Sequence, residues 1–182
     1  MNCSLPKDRS AYNRLPGLWL SLLAVLLPAP AFAEWKVQAI SNTGADQPVT
    51  FASFVNAEGY RLDIYRDPGN AIRTRFSLCD GLQQLAPKSC PTFQIDGGAP
   101  QNHSIHDAPC ISTAVRAEYI IGYIENKQIE SATLRSFMDG IAVRFRFALN
   151  NGDYRETVFS LGGSSSAIVR AIGREYRVLA PR

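Results

Sequence analysis

From Ile141 to Leu149 the chain reads Ile-Ala-Val-Arg-Phe-Arg-Phe-Ala-Leu, with Val143, Phe145, Phe147 and Leu149 on one parity and Arg144 and Arg146 on the other. A period of two is the period of a β-strand with one face in a core and the other in water. Wound as a helix, the same residues would scatter phenylalanines and arginines around every side. Asn151-Gly152 follows, the strongest short hairpin signal, because a type I′ turn needs a left-handed backbone at both central positions. Tyr154 to Leu161 returns as the partner strand, and a two-residue loop sets Leu149 opposite Tyr154 and Phe145 opposite Val158. Arg144, Arg146 and Arg155 then share the outer face of the hairpin. That basic stripe is the candidate interaction surface for an anionic partner, although arginines on the solvent side of a sheet more often serve solubility and edge protection.

The rest of the chain repeats the pattern in shorter pieces. Trp35 to Ile40, Val49 to Val55, Tyr60 to Tyr65, Arg73 to Leu78 and Thr92 to Ile95 read as strands. They are punctuated by Asn42-Thr43-Gly44, Asp67-Pro68-Gly69-Asn70 and Asp96-Gly97-Gly98-Ala99-Pro100, residues that favour turns for backbone reasons. Many short strands at this spacing predict a mainly β, single-domain antiparallel sandwich, of jelly-roll or immunoglobulin-like type, with one or two short helices. Ala117 to Ile124 is ambiguous: Ile120, Tyr123 and Ile124 fit one face of a helix, whereas aromatic and branched residues suit a strand, and the helix is preferred. Ser164-Ser165-Ser166, an apolar run to Ile172 and then Gly173 predict a short C-terminal helix.

The N-terminus speaks to compartment. Lys7, Arg9 and Arg14 precede the uncharged run Leu18 to Leu27, which Pro28 and Pro30 end, and Ala31-Phe32-Ala33 supplies a small-x-small cleavage site. Ten apolar residues span about 15 Å as a helix, roughly half a bilayer core. Residues 1–33 therefore read as a cleaved signal peptide and 34–182 as an exported β-rich domain, periplasmic or secreted. Three bases and one acid leave with the leader, so the formal charge falls from +3 to +1. A charge this small, with no block of like charges, argues against a nucleic-acid partner. No later apolar run is long enough to span a membrane.

The mature chain keeps Cys79, Cys90 and Cys110, and an oxidising destination favours disulfides. Cys90 and Cys110 flank the Asp96 to Pro100 turn almost symmetrically. If Phe93 to Ile95 pairs back against the segment around His103 to His106, the two cysteines meet across that hairpin. Cys79 with Cys90 is the alternative, and either choice leaves one thiol over. His103 and His106, with Asp107 and Cys110, form the one cluster with metal-ligand chemistry, compatible with zinc but matching no strong spacing, and Cys110 cannot ligate once oxidised. The plainer reading is two exposed histidines beside a disulfide-tied hairpin. Leu161-Gly162-Gly163-Ser164 lacks the lysine of a phosphate loop. No nucleophile elbow or metalloprotease helix occurs, and scattered carboxylates such as Asp63, Asp139 and Glu156 define no acid–base pair. The residues thus point to no catalytic machinery and no cofactor.

Phe93-Gln94-Ile95-Asp96, Cys110 and the closing Phe159-Ser160-Leu161-Gly162-Gly163 with Ala167 resemble, in this order, the invasion-associated locus B family. The resemblance covers about residues 90 to 172. It places Ala117 to Ile124 where the family has a helix, and Cys110 as its last cysteine. It departs from the family in lacking a cysteine pair near the first strands, and in having His106 close to where a partner for Cys110 is expected. What it implies is an extracytoplasmic β-rich protein of Gram-negative bacteria, without known enzymatic chemistry, associated with the envelope and in some members with host-cell invasion. It carries over no binding residue. The resulting expectation is a non-enzymatic exported protein that contacts an unidentified protein or envelope component. A metal-binding protein or metal-dependent enzyme using His103 and His106, and a periplasmic small-ligand binder or inhibitor, are the alternatives. Oligomeric state stays open.

Overall fold

The computed structural model describes residues 34–40, 48–78, 81–105 and 110–179. The signal-peptide segment, the Asn42-Thr43-Gly44 turn, Cys79, His106 and Asp107 lie outside the described residues.

Strands β1 (Lys36–Ile40), β2 (Val49–Val55), β3 (Arg61–Arg66) and β4 (Ala71–Ser77) run as a meander. The strand β7 (Arg116–Tyr123) joins β4, and the two-residue β6 (Ile111–Ser112) lies outside it, completing a six-stranded antiparallel sheet. Facing this sheet is a three-stranded layer, in which β9 (Ala142–Ala148) sits between β5 (Thr92–Ile95) and β10 (Tyr154–Ser160), again antiparallel. A parallel pair, β8 (Gln128–Glu130) with β11 (Arg177–Leu179), stands apart. The architecture is therefore the mainly β sandwich that the alternation predicts. Its strand order differs from the jelly-roll and immunoglobulin types: a plain meander builds most of one layer, without their Greek-key crossings.

Ring contacts show how the layers stack. Phe54 on β2 meets Phe159 on β10 at 6.3 Å, Phe76 on β4 stacks on Phe145 of β9 at 4.9 Å, and Phe93 on β5 meets Tyr119 of β7 at 5.3 Å. All six are buried. Apolar burial is the main driving force for this fold, and offset or edge-on ring pairs add about 0.5–1.5 kcal/mol each beyond it.

Two helices complete the same core. The first, α1 (Ala132–Asp139), has no counterpart among the elements expected from the sequence. Ser131 caps it by accepting the Leu134 N–H at 2.9 Å, Leu134 and Phe137 point inward at helical spacing, and the Gly140 N–H closes the last turn on Ser136 O. The second, α2 (Ser164–Ile172), is the expected C-terminal helix, with Ala167, Ile168 and Ile172 buried. Its cap is Gly163 rather than a serine side chain, and Gly173, at φ 116, ends it where a side chain would be strained.

The expected helix over Ala117 to Ile124 is instead the long strand β7. Ile72 pairs with Gly122 and Arg73 with Ile120, so Ile121 is an extra residue, a β-bulge. The bulge interrupts the period of two, and this is why Ile120, Tyr123 and Ile124 mimic helical spacing in the sequence.

The hairpin register also differs from expectation by one residue. Tyr154 pairs with Ala148 and Thr157 with Phe145. The Gly152 N–H donates to Leu149 O and the Leu149 N–H to Asp153 O, which makes a three-residue loop with Gly152 alone in the left-handed region at φ 89. Because side chains alternate, the shift moves every residue of β10 to the other face. Thr157 and Phe159 point inward, and Val158 faces out.

Candidate functional site

The outer face of the three-stranded layer is built by that register. Arg146 lies opposite Glu156, Arg144 opposite Val158, and Thr92 and Gln94 of β5 flank the two arginines. The Glu156 carboxylate sits between two guanidinium groups: Arg146 Nε to Oε2 is 2.7 Å and Arg144 Nη1 to Oε1 is 3.1 Å. The bond from Arg146, with the charge of Arg144 beside it, holds the Glu156 carboxyl below the ordinary glutamate range. Tyr154 and Val158 bracket Glu156 on the same strand face and are 68% and 43% exposed. The result is one cationic cluster with an excess positive charge between two exposed apolar side chains.

Arg155 leaves this group. It lies opposite Phe147, on the parity of the core, and pairs at its exposed end with Asp153 at 3.2 Å. The expected stripe of three arginines is therefore a pair, because the three-residue loop shifts β10 by one.

Cys90 and Cys110 form a disulfide, with Cα atoms 5.9 Å apart. Cys90 is thereby not available to Cys79. The hairpin argument for the bridge holds only in part. Phe93 exchanges backbone hydrogen bonds with Gln101 at 2.7 and 2.8 Å, but β5 as a strand pairs with β9. The bridge removes Cys110 from the candidate zinc ligands. His103 is exposed on a bend, and among the described residues no three metal-ligating side chains converge.

Ser164, in the glycine-serine segment that follows β10, is fully buried and donates its hydroxyl to Phe137 O at 2.7 Å, tying α2 to α1. Asp96 is likewise structural. Its carboxylate accepts the N–H groups of Ile141 and Ala142 at 2.8–3.0 Å, fixing the start of β9.

A polar network on the outer face of the larger sheet escaped the sequence reading. Asp63 is completely buried, and Ser53 and Arg61 reach its Oδ1 at 2.6 and 2.7 Å while Arg75 reaches Oδ2 through Nε and Nη2 at 3.0 and 2.8 Å. Arg75 lies over the rings of Phe51 and Tyr65, and Tyr65 donates to Glu118 at 3.0 Å. Burial, reinforced by the Glu118 charge, pushes the Tyr65 phenol well above the ordinary tyrosine range. With four hydrogen bonds accepted by one carboxylate and the phenol of Tyr65 bonded to Glu118, this network is suited to holding strands together. The alternations Arg61-Asp63-Tyr65 and Arg73-Arg75 were its visible signal, but only cross-strand register makes them neighbours.

One cavity of about 280 Å³ is lined by Ile105, Tyr123, Glu125, Asn126, Gln128 and Glu130. It lies at the turn from β7 to β8, where Asn126 and Lys127 both take the left-handed conformation. No family model, curated protein or solved structure matches this chain.

Proposed function

We propose that this chain is an exported, non-enzymatic β-sandwich protein that acts in the periplasm or outside the cell through contact with a protein or cell-envelope component. The resemblance to the invasion-associated locus B family supports the compartment and makes a host-cell surface one class of partner. The observation that carries the reading is the β9–β10 outer face. Exposed Tyr154 and Val158 flank the Arg144–Glu156–Arg146 cluster, and aromatic residues with arginine are the types that dominate binding energy at interfaces. The Cys90–Cys110 disulfide is in keeping with an oxidising compartment.

The test is retention of purified protein on isolated envelope fractions. Tyr154→Ala combined with Val158→Asp alters only exposed side chains, so stability stays within about 0.5 kcal/mol per site. Retention is expected to fall about tenfold, the loss of one hot spot. Equal retention of both proteins contradicts the reading. A native mass spectrum with one stoichiometric metal would favour the His103/His106 alternative instead.

The cavity beside β8 supports a second reading, a binder of a small polar ligand. Its signature is a melting temperature that rises with ligand concentration.

A further inference from the structure

Among the described residues, strand β10 is a free edge of the three-stranded layer and runs for seven residues. The backbone groups of Tyr154, Glu156, Val158 and Ser160 face away from β9, since those of the intervening residues are used in pairing, as Leu161 N–H to Ile141 O continues to show. An open edge of this length, with two exposed apolar side chains, is a template for another strand.

Two side chains from the opposite sheet close half of it. The Trp35 indole N–H donates to Ser160 O at 3.0 Å, and the Asn56 amide donates to Val158 O at 3.1 Å and to Thr157 Oγ1 at 2.6 Å. Both donors are held in place. Trp35 is only 6% exposed and packs on Phe54 at 5.6 Å, and Asn56 Oδ1 accepts the Tyr60 N–H at 3.0 Å in the β2–β3 turn. No described residue bonds the outward backbone of Tyr154 or Glu156.

We propose that Trp35 and Asn56 are edge guards that keep β10 from pairing with the β10 strand of a second copy of this chain. The occupant follows from the strand's own residues. In an antiparallel pair about a two-fold axis at Glu156, Tyr154 of each copy lies against Val158 of the other, so the two exposed apolar side chains are buried together. That register requires Val158 O, the carbonyl Asn56 occupies. It also brings two Glu156 carboxylates together, each already neutralised by Arg144 and Arg146. Asn56 therefore blocks the register that buries the two apolar side chains together, and Trp35 closes Ser160 O, the next outward carbonyl along the edge. This inference is independent of the proposed function.

Sedimentation velocity over a hundredfold concentration range tests it on the mature chain. Trp35→Phe with Asn56→Ala removes both donors while keeping an aromatic ring on Phe54. The double variant is expected to sediment as a dimer at concentrations where the wild type is monomeric, an apparent association at least tenfold tighter. Adding Val158→Lys is expected to return it to monomer. A folded double variant that sediments as the wild type does overturns the proposal, as does association that Val158→Lys leaves unchanged or a wild type already dimeric through β10. Asn56→Ala alone, which frees Val158 O and leaves Trp35 in place, decides the question if the double variant does not fold.

Discussion

The two long margins of the sandwich are closed by different chemistry. Where β5 lies over β7 and β6, a disulfide joins Cys90 to Cys110, the Tyr119 hydroxyl donates to Pro91 O, and Ser112 Oγ donates to Ser89 O at 3.3 Å. Where β10 lies over β1 and β2, the hydrogen bonds that cross the margin among the described residues come from Trp35 and Asn56. The first margin has only a two-residue strand to hold at β6, so backbone pairing contributes little there and a covalent link restrains the segment. The second already has long strands and needs only its outward carbonyls satisfied.

Largest among the expected effects is Trp35→Ala. It removes a buried ring as well as a donor, so urea unfolding should show a loss of about 3–5 kcal/mol. Replacing Cys90 and Cys110 together by alanine opens a 20-residue separation and should cost about 3 kcal/mol. Combined, the changes should add to within about 0.5 kcal/mol, because distant sites are independent. A marked departure from additivity would show that the margins are one cooperative unit and would break the comparison.

Tyr119→Phe is smaller, about 1–2 kcal/mol, since it leaves the Pro91 carbonyl without its donor. Burial pushes the phenol of Tyr119 well above the ordinary tyrosine range, as it does that of Tyr65. Both are protonated more readily in the folded than in the unfolded chain. The stability they contribute is therefore complete below the ordinary tyrosine range and is lost as pH rises through the folded values. Alkaline absorbance titration should show these two phenols ionising only as the protein unfolds.

The smallest effect belongs to Glu156, which is exposed. Its carboxyl is held low by Arg146 and Arg144, so its contribution is complete above the ordinary glutamate range and is lost as pH falls through the lowered value. Glu156→Gln should flatten that part of the acid limb of stability and leave neutral-pH stability almost unchanged, because solvent screens an exposed pair. An unchanged acid limb would show that the cluster contributes nothing to folding.

What could be read in the chain depended on how local its determinants were. Val49–Val55 and Thr92–Ile95 were legible to the residue, because alternation and turn residues are properties of a few neighbouring positions. The β10 register was not. Asn-Gly fits both a two-residue and a three-residue loop, and the choice decides which face Arg155 takes. The bulge at Ile121 disguised β7, since its cause is pairing with β4, far off in sequence. For α1 the signals were present in Ser131, Leu134, Phe137 and Gly140, but eight residues give little periodicity to set against the surrounding strands. The Asp63 network depends on three strands being side by side, which no local pattern encodes.

Peptide mapping by mass spectrometry of non-reduced protein, recovered from the periplasm of an expression host, tests the account most directly. It predicts an N-terminal peptide beginning at Glu34 and a cross-linked peptide pair joining Cys90 to Cys110, separated by reductant. A chain retaining residues 1–33, or a cross-link from Cys79 to Cys90, would contradict it.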